Sequence, residues 1–199
     1  MKDTQKHILE TSLQKFLEKS YKEVTMKDLV EASGLSKGAF YHYFSSKEDL
    51  YQKAVESYID YMYETMVNAF DQEKSFRKNL ELMLHSFQTM YDDEEVDKAS
   101  RNKQFNSYID LVRQSMQNPV LNKKMHQFMK RIEVKLMEFI QVAQFNGQIR
   151  QDLQPKSIAL QLMILIEGAN LFYPFQEADR PITDFMTEIL DQYLALIEN

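Results

Sequence analysis

Two helix-start signals on either side of a glycine, within residues 25–47, constrain the fold of this chain more than any other feature. Thr25 is followed three residues later by Asp28, the spacing of a capping box, in which the hydroxyl accepts a helix N–H and the acid reaches back to the cap. Gly34 ends the helix that follows, because glycine takes a positive φ without steric cost. Ser36 then offers a second N-cap. The spacing predicts a helix-turn-helix.

The second of these two helices, predicted over residues 37–44, has distinct inner and outer sides. Phe40 and Phe44 lie four residues apart, on one face, and are expected to be buried. The positions left available on the outside are Lys37, Ala39, Tyr41, His42 and Tyr43. Such a face is interpreted either as a contact surface or as a solvated, partly aromatic exterior.

The stretch around this motif follows a known family pattern. In order it reads Ser-Tyr at 20–21, Thr at 25, Asp-Leu-Val at 28–30, Ser-Gly-Leu-Ser at 33–36, Lys-Gly-Ala at 37–39, Phe-Tyr-His-Tyr-Phe at 40–44 and Lys-Glu-Asp-Leu at 47–50. Taken in register and without a gap, it resembles the N-terminal motif of the TetR/AcrR family of bacterial transcriptional regulators. The resemblance covers roughly the first quarter of the chain.

The resemblance implies an all-α fold of about nine helices. A three-helix helix-turn-helix DNA-binding head, residues 1–47, is joined by a long helix to a C-terminal ligand-binding and dimerisation body, residues 48–199. The composition agrees with a helical fold, since the chain holds only four glycines and four prolines, the residues that most often interrupt helices. No segment alternates β-branched residues in the manner of a strand.

Three departures from the family pattern carry structural expectations. Ser20 replaces a glycine at the end of the first helix, which predicts a left-handed backbone at a non-glycine residue. Val30 and Ser33 replace two alanines where helices cross, which predicts slightly looser packing. Ala39 replaces a hydroxyl residue that faces DNA, although its methyl group can still touch a thymine methyl.

The resemblance also implies which residues face DNA. Phenolic hydroxyls would bind phosphate oxygens, Lys37 would reach a guanine edge or a phosphate, and Thr25 and Lys47 would hold the DNA backbone at helix N-termini. The set comprises Thr25, Lys27, Ser36, Lys37, Gly38, Ala39, Tyr41, His42, Tyr43 and Lys47.

The charge distribution allows DNA binding despite a net charge of −6. Residues 1–47 carry eight lysines and six acids, whereas the rest of the chain has 16 basic and 24 acidic residues. Charges more than about 8 Å apart are largely screened at physiological salt, so the local balance decides phosphate contact. The small basic surplus predicts weak non-specific binding and a strong dependence on the geometry of a dimer.

The remaining composition predicts a cytoplasmic protein without disulfides or a membrane partner. The chain has no cysteine, its N-terminus lacks the apolar core of a signal peptide, and its longest apolar run, residues 162–166, is too short to span a bilayer. The acidic residues 92–97 lack the glycine and terminal glutamate of a calcium loop and are expected to form a solvated loop. We expect no metal and no cofactor.

The body is rich in methionine and aromatic residues, which form adaptable apolar cavities but also ordinary cores. Several of them lie on helices that enclose the effector in the TetR family, so we hypothesise a pocket for a bulky, mostly apolar small molecule. The candidate ligand-binding residues are Tyr58, Met62, Met66, Phe87, Phe105, Tyr108, Phe128 and Met129.

The last two helices are apolar on more than one side, which requires more than one neighbour. In the TetR family they pair with the same helices of a second subunit, so we expect a two-fold homodimer. Glu167 interrupts the apolar run and would meet a partner across the dimer, emerge at an edge, or face a cationic effector. The expected interface residues are Glu167, Gly168, Ala169, Leu171, Phe185, Ile189 and Tyr193.

Together these features predict a ligand-responsive transcriptional regulator, most simply a repressor released from a palindromic DNA operator by an effector. The same head would serve an activator. A helical carrier of hydrophobic molecules that does not bind DNA is the other alternative. An enzyme is not expected, because the sequence contains no Glu-x-x-His pair, His-Glu-x-x-His motif, phosphate loop or Gly-x-Ser-x-Gly elbow.

Overall fold

The computed structural model describes residues 2–71, 73–88, 98–175 and 182–199; within these, the side chains of residues 2, 85–88, 98–104, 107 and 183 are not described. The chain divides into two compact units. The first unit contains Met1–Met62 and Val96–Phe128, and the second contains Tyr63–Glu95 and Met129–Asn199. The predicted boundary after residue 47 concerns function and stays a prediction.

The described part of the chain is helical, which confirms the predicted all-α class. Its nine α-helices are α1 (Lys2–Glu18), α2 (Met26–Ser33), α3 (Lys37–Tyr43), α4 (Lys47–Asn68), α5 (Phe76–Gln88), α6 (Lys98–Gln117), α7 (Pro119–Phe145), α8 (Pro155–Phe172) and α9 (Ile182–Ile197). A short 3₁₀ turn, Tyr173–Phe175, follows α8. The only pairing of extended backbone among the described residues is a β-bridge between Ile149 and Glu198.

The core of the first unit is assembled from the helix-turn-helix and from helices later in the chain. Phe40, Phe44, Leu29 and Leu50 are completely buried, as the apolar spacing predicts. The same cluster includes Leu111 of α6 and Leu121 of α7. Partly buried side chains packed against it include Tyr21, Leu35, Tyr43, Tyr58 and Phe128. The apolar side of the helix-turn-helix is therefore covered in part by α6 and α7.

The N-terminus of α7 shows how a local sequence signal starts a long helix. The Oδ1 atom of Asn118 accepts hydrogen bonds from the backbone N–H groups of Val120 at 2.9 Å and Leu121 at 3.2 Å. Pro119 occupies the first helical position, where a missing N–H costs nothing. Gly147 follows the helix with φ of 70°, the left-handed conformation in which a glycine commonly ends a helix.

The second unit is closed by interactions between α5, α9 and the turn after α7. Arg77 forms ion pairs with Asp191 and with Glu198, the latter at 2.7 Å. The backbone N–H of Arg150 donates to the carbonyl of Ile197 at 2.9 Å. Together they fix the C-terminal end of α9 against α5 and the turn.

Helix α8 is the most apolar element of the described chain. Among the described residues, α8 together with the 3₁₀ turn is the one segment whose length and composition would allow it to cross a membrane. Core helices of soluble proteins also meet this criterion. Its buried face consists of Ile158, Ala159, Leu162, Ile166 and Ala169. Its other faces carry exposed apolar side chains, so its hydrophobicity exceeds what one protomer buries.

The prediction for Ser20 is wrong. No non-glycine residue in the described part of the chain has a positive φ. Instead, the N–H and the hydroxyl of Ser20 both donate to Glu23 Oε2 at 3.0 Å. The carboxylate of Glu23 therefore satisfies Ser20 after the end of α1, where the family pattern has a left-handed glycine.

Candidate DNA-binding surface

Three capping interactions fix the helix-turn-helix. Thr25 and Asp28 form the predicted capping box, in which Thr25 Oγ1 accepts from the N–H of Asp28 and Asp28 Oδ2 accepts from the N–H of Thr25. Gly34 adopts φ of 67°, and its N–H donates to the carbonyl of Glu31 at 3.2 Å. Ser36 Oγ accepts from the N–H of Ala39 at 3.3 Å.

One side of α3 faces solvent and the other enters the core. Phe40 is completely buried and Phe44, the residue that caps the helix, is also buried. The exposed residues are Lys37, Gly38, Ala39, Tyr41 and His42. Tyr43, predicted to point outward, is half-buried and packs against the core of the first unit.

The exposed face combines a cation with aromatic rings. The Nζ atom of Lys37 lies 5.9 Å from the ring centroid of Tyr41, within the range of a cation–π interaction. The ring of His42 packs edge-on against Tyr43 at 5.3 Å. Tyr41 thus presents its phenol beside a positive charge, a combination suited to a phosphate or a base edge.

The polar residues at the start of α2 are also exposed. The hydroxyl of Thr25 donates to Asp28 Oδ2 at 2.7 Å, so its proton is used inside the capping box. Lys27 is exposed and lies 3.8 Å from Glu31 in an ion pair that costs little to break. The hydrogen bonds from Thr25 lower the pKa of Asp28 below its ordinary value of 3.8.

Lys47 makes contacts within the protein that the sequence did not suggest. Its Nζ atom donates to the carbonyls of Tyr21 at 2.9 Å and Val24 at 2.8 Å, and lies 4.4 Å from the ring centroid of Tyr21. The side chain is half-buried. Its expected contact with a DNA phosphate stays a prediction, and would have to use the remaining capacity of the ammonium group.

Two further contacts at the helix-turn-helix involve residues given no role from the sequence. The Nε2 atom of His7 donates to the carbonyl of Ser33 at 3.0 Å, close to the end of α2. The hydroxyl of Ser33, a residue that replaces alanine, donates to the carbonyl of Val30 at 2.8 Å. Ser33 is buried, so its hydroxyl is accommodated by hydrogen bonding rather than by loose packing.

An acid in α6 also contacts this region. Asp110 is 7% exposed, and its Oδ2 accepts from the backbone N–H of Tyr21 at 3.0 Å. Tyr51 lies nearby, with its ring 4.7 Å from that of Tyr21. Burial, with a smaller effect of the Asp110 charge, raises the pKa of Tyr51 above its ordinary value. The sequence signal for Asp110 is an acid enclosed by apolar neighbours at positions 108–112.

The candidate ligand-binding residues are distributed over both units. Tyr58, Met62, Phe105, Tyr108 and Phe128 belong to the first unit, and Met66, Phe87 and Met129 to the second. Met66 is buried, and the other described side chains are half-buried. The side chain of Phe87 lies outside the described part of the structure.

The expected interface residues differ in exposure within one protomer. Glu167 and Leu171 are exposed, while Gly168, Phe185, Ile189 and Tyr193 are half-buried. Tyr193 donates to Gln161 Oε1 at 2.5 Å, a link between α9 and α8. Ala169 is buried against its own protomer. The larger exposed apolar side chains, missed from the sequence, are Leu160, Ile164, Phe172, Phe175 and Leu196.

The described residues hold no group of three or more His, Asp or Glu side chains arranged to bind a metal. The acidic segment at residues 92–97 lies outside the described part of the chain.

Comparison with known proteins identifies the motif. The family described as bacterial regulatory proteins, tetR family, matches residues 8–54. YfiR of Bacillus subtilis, an HTH-type transcriptional regulator, is 43% identical over 56 residues, which cover 28% of this chain and 27% of that protein. DhaR of Mycobacterium sp., an HTH-type transcriptional repressor, is 24% identical over 194 residues, 97% of this chain and 93% of that protein.

Solved structures extend the similarity of fold to the whole chain. A protein from Saccharomonospora viridis in complex with choline has a TM-score of 0.81 at 18% identity and covers 100% of both chains. A TetR transcription regulator from Haloarcula marismortui has a TM-score of 0.79 at 14% identity, also over 100% of both chains. The curated relatives are named as transcriptional regulators and not as enzymes. The match to YfiR spans only about a quarter of the length of that protein. Residues 8–54 thus match the tetR family of bacterial regulatory proteins, and the whole chain shares its fold with solved structures of transcriptional regulators of this type.

Proposed function

We propose that this protein is a DNA-binding transcriptional regulator that responds to a small molecule and represses its target in the absence of that molecule. The observation that carries the proposal is the outward face of α3, where Lys37, Tyr41 and His42 are exposed above a completely buried Phe40. Such a helix has a fixed position and a free surface, as a helix that enters a major groove requires.

The contacts to DNA divide into two kinds. Tyr41 and Lys27 would bind phosphates and set the register, because a phenol and an ammonium group both donate to phosphate oxygens. Thr25 would have to give up its hydrogen bond to Asp28 Oδ2 to do the same. Residues 37–42 include those that distinguish bases. The methyl group of Ala39 is exposed there and is suited to contact with a thymine methyl.

A homodimer would present this face twice, to the two halves of a palindromic operator. Regulators of this family bind DNA and act as dimers. The exposed apolar side chains of α8, among them Ile164 and Phe172, support a four-helix interface built from α8 and α9 of two protomers. Half-sites would then lie about one helical turn apart, roughly 34–36 Å, or a multiple of it.

The effector is proposed to be bulky and mostly apolar. The thioethers and aromatic rings at the candidate ligand-binding positions suit such a molecule. The choline bound to the Saccharomonospora viridis protein adds quaternary ammonium compounds to the candidates, since aromatic rings attract such cations. Binding would tilt α4 and change the separation of the two α3 helices.

Repression and a cytoplasmic location are parts of the same proposal. DhaR, which aligns over almost the whole chain, is named a repressor, and this supports repression over activation. A carrier that does not bind DNA is disfavoured by the exposed face of α3, formed by Lys37, Gly38, Ala39, Tyr41 and His42, which a carrier would not need.

Selection of bound fragments from the source genome tests the DNA-binding function. The wild-type protein is expected to enrich a small set of fragments that share a palindrome. Tyr41→Ala is expected to lose that enrichment, whereas Tyr61→Ala, which removes an exposed tyrosine of α4 outside the helix-turn-helix, is expected to keep it. Absence of any enriched fragment at low ionic strength would exclude the function.

Thermal shifts test the effector. A panel of choline, lipophilic cations and fatty acyl compounds is expected to contain at least one that raises the melting temperature and releases the selected DNA. A compound that raises the melting temperature without releasing DNA would argue for a carrier. No shift with any compound would contradict the proposed chemical class.

A further inference from the structure

The segment between α1 and α2, residues 19–25, is held in place by side chains of two other helices. The N–H of Tyr21 donates to Asp110 Oδ2 of α6 at 3.0 Å. The carbonyl of Tyr21 accepts from Nζ of Lys47, the first residue of α4, at 2.9 Å. Lys47 also donates to the carbonyl of Val24. Within the segment, Ser20 is bonded to Glu23 and Thr25 to Asp28. Asp110 and Lys47 are the side chains that tie its middle, Tyr21 to Val24, to other helices.

The ring of Tyr21 reinforces the same arrangement. It lies 4.7 Å from the ring of Tyr51 and 6.0 Å from that of Phe16, and Phe16 and Tyr51 meet edge-on at 4.8 Å. Lys47 Nζ lies above the Tyr21 ring at 4.4 Å. Backbone and side chain of one residue are thus fixed by α1, α4 and α6 together.

Asp110 is well placed to make its contact strong. A buried carboxylate is stable only when its oxygens accept hydrogen bonds. Asp110 accepts from the N–H of Tyr21 and from the guanidinium of Arg113, one turn along α6. Hydrogen bonds to a charged acceptor are roughly twice as strong as those between neutral groups. Loss of this contact would take the acceptor from the N–H of Tyr21 and leave Arg113 as the partner of the buried Asp110.

We infer that Asp110 is a positioning residue for DNA binding, a carboxylate of α6 that fixes the start of the helix-turn-helix through Tyr21 without contacting DNA. This inference rests on the proposed function. Thr25, the cap of α2, follows Val24 directly, so a displacement of the segment displaces the N-terminus of α2. The displacement would also remove both carbonyl partners of Lys47.

Through the contact between Asp110 and Tyr21, a movement of α6 can displace the helix-turn-helix directly. Phe105 and Tyr108, two of the residues proposed to contact the effector, lie on α6 within two turns of Asp110. A movement of α6 would therefore reach the segment through Asp110 as well as through any tilt of α4.

The test uses the full-length protein with Asp110→Ala, Asp110→Asn and Arg113→Ala. We expect Asp110→Ala to bind the selected DNA about tenfold more weakly, the order expected for loss of one charge-assisted hydrogen bond. Amide exchange of residues 19–25 is expected to accelerate in the same variant. Asp110→Asn keeps an oxygen that accepts from Tyr21 and should recover most of the affinity. Arg113→Ala, which removes the exposed partner of Asp110 and keeps the bond to Tyr21, should weaken DNA binding much less than Asp110→Ala.

The outcomes separate the two proposals. Unchanged DNA affinity in Asp110→Ala, or accelerated exchange spread evenly over the molecule, would overturn the positioning role. If Asp110→Ala does not fold, Asp110→Leu, which restores the buried volume without an acceptor, takes its place with the same expectations. A wild-type protein that selects no DNA would overturn the proposed function, whereas exchange at residues 19–25 would still report whether Asp110 holds the segment.

Discussion

At the scale of single residues, two glycines of the helix-turn-helix serve different purposes. Gly34 has a positive φ, which L side chains rarely adopt, while Gly38 lies in α3 with ordinary helical geometry. A Cβ atom built at either position meets nothing within 4 Å. The first glycine is thus required by backbone conformation, and the second has no structural requirement within the protomer.

Gly34→Ala is expected to destabilise the protein by about 1–2 kcal/mol, the cost of a left-handed backbone at a residue with a Cβ atom. The free energy of unfolding measured in urea checks this value. Gly147→Ala, at φ of 70° after α7, is a matched control outside the helix-turn-helix and should cost a similar amount. Stability equal to the wild type would show that the turn can change its conformation.

Gly38→Ala is expected to separate stability from DNA binding. Alanine is a better helix former by up to about 1 kcal/mol, so the free energy of unfolding should stay the same or rise. Affinity for the selected DNA should fall, because a methyl group would enter the space between α3 and the duplex. Binding assays beside urea unfolding measure both effects. Undiminished affinity would place Gly38 outside the DNA contact.

Asp28 gives the helix-turn-helix a sensitivity to acid. The pKa of Asp28 is lower in the folded than in the unfolded state, so the unfolded chain binds more protons. The ionised carboxylate therefore stabilises the folded state at pH values above the ordinary pKa of 3.8, and this stabilisation is lost as the pH falls through the lowered pKa. Asp28→Asn should remove this part of the pH dependence. Urea unfolding from about pH 5 to about pH 2.5 measures it. Glu31→Gln, which leaves the capping box intact, should keep the wild-type profile.

At the scale of elements, the sequence predicted where helices begin more reliably than which face they bury. Thr25, Ser36 and Asn118 each accept the backbone hydrogen bonds expected of an N-cap, because capping depends on neighbours in the chain. In α6, the apolar Phe105 and Tyr108 are only half-buried and Ile109 is exposed, whereas the buried residues are Asp110, Leu111 and Ser115. Burial there depends on contacts distant in sequence.

The candidate DNA-binding surface shows the same division. The exposure of Lys37, Tyr41 and His42 follows from helical spacing and the burial of Phe40, and it was predicted. The internal contacts of Lys47 and the hydrogen bond between Asp110 and Tyr21 were not, because they join residues 26 and 89 positions apart. No local pattern encodes such pairings.

Ile164→Glu tests the role of α8 in the dimer. Ile164 is 69% exposed in the protomer, so a glutamate there should leave the protomer folded but prevent two apolar faces from associating. Light scattering at micromolar concentration is expected to show a dimer for the wild type and a monomer for this variant. Val142→Glu, at an exposed position of α7, should remain dimeric. A dimeric Ile164→Glu would place the interface elsewhere.

At the scale of the whole molecule, we expect specific DNA binding to depend on two copies acting together. The head has a surplus of only two positive charges, and the rest of the chain is acidic. One head alone gains little from phosphate contacts, so most of the affinity should come from simultaneous binding at two half-sites.

Insertion of about 5 base pairs between the half-sites should therefore abolish specific binding, because it turns the second half-site to the opposite face of the duplex. A mobility-shift assay with the original and the lengthened site measures the change. Replacement of the same number of central base pairs, without insertion, is the control and should have a much smaller effect. Equal affinity for both spacings would indicate independent heads.

The helix-turn-helix shares its hydrophobic core with later helices, and this limits where the chain can be cut to make hybrid regulators. Leu111 and Leu121 are buried in the same cluster as Phe40 and Phe44, and Asp110 holds Tyr21. A gene fragment that stops after α3 or α4 would lack Leu111 and Leu121 from its core. It would also lack Asp110, which bonds to Tyr21 in the segment between α1 and α2. Hybrids that exchange regulatory bodies between relatives should therefore stay soluble and specific only when α6 and the first turns of α7 travel with the N-terminal helices.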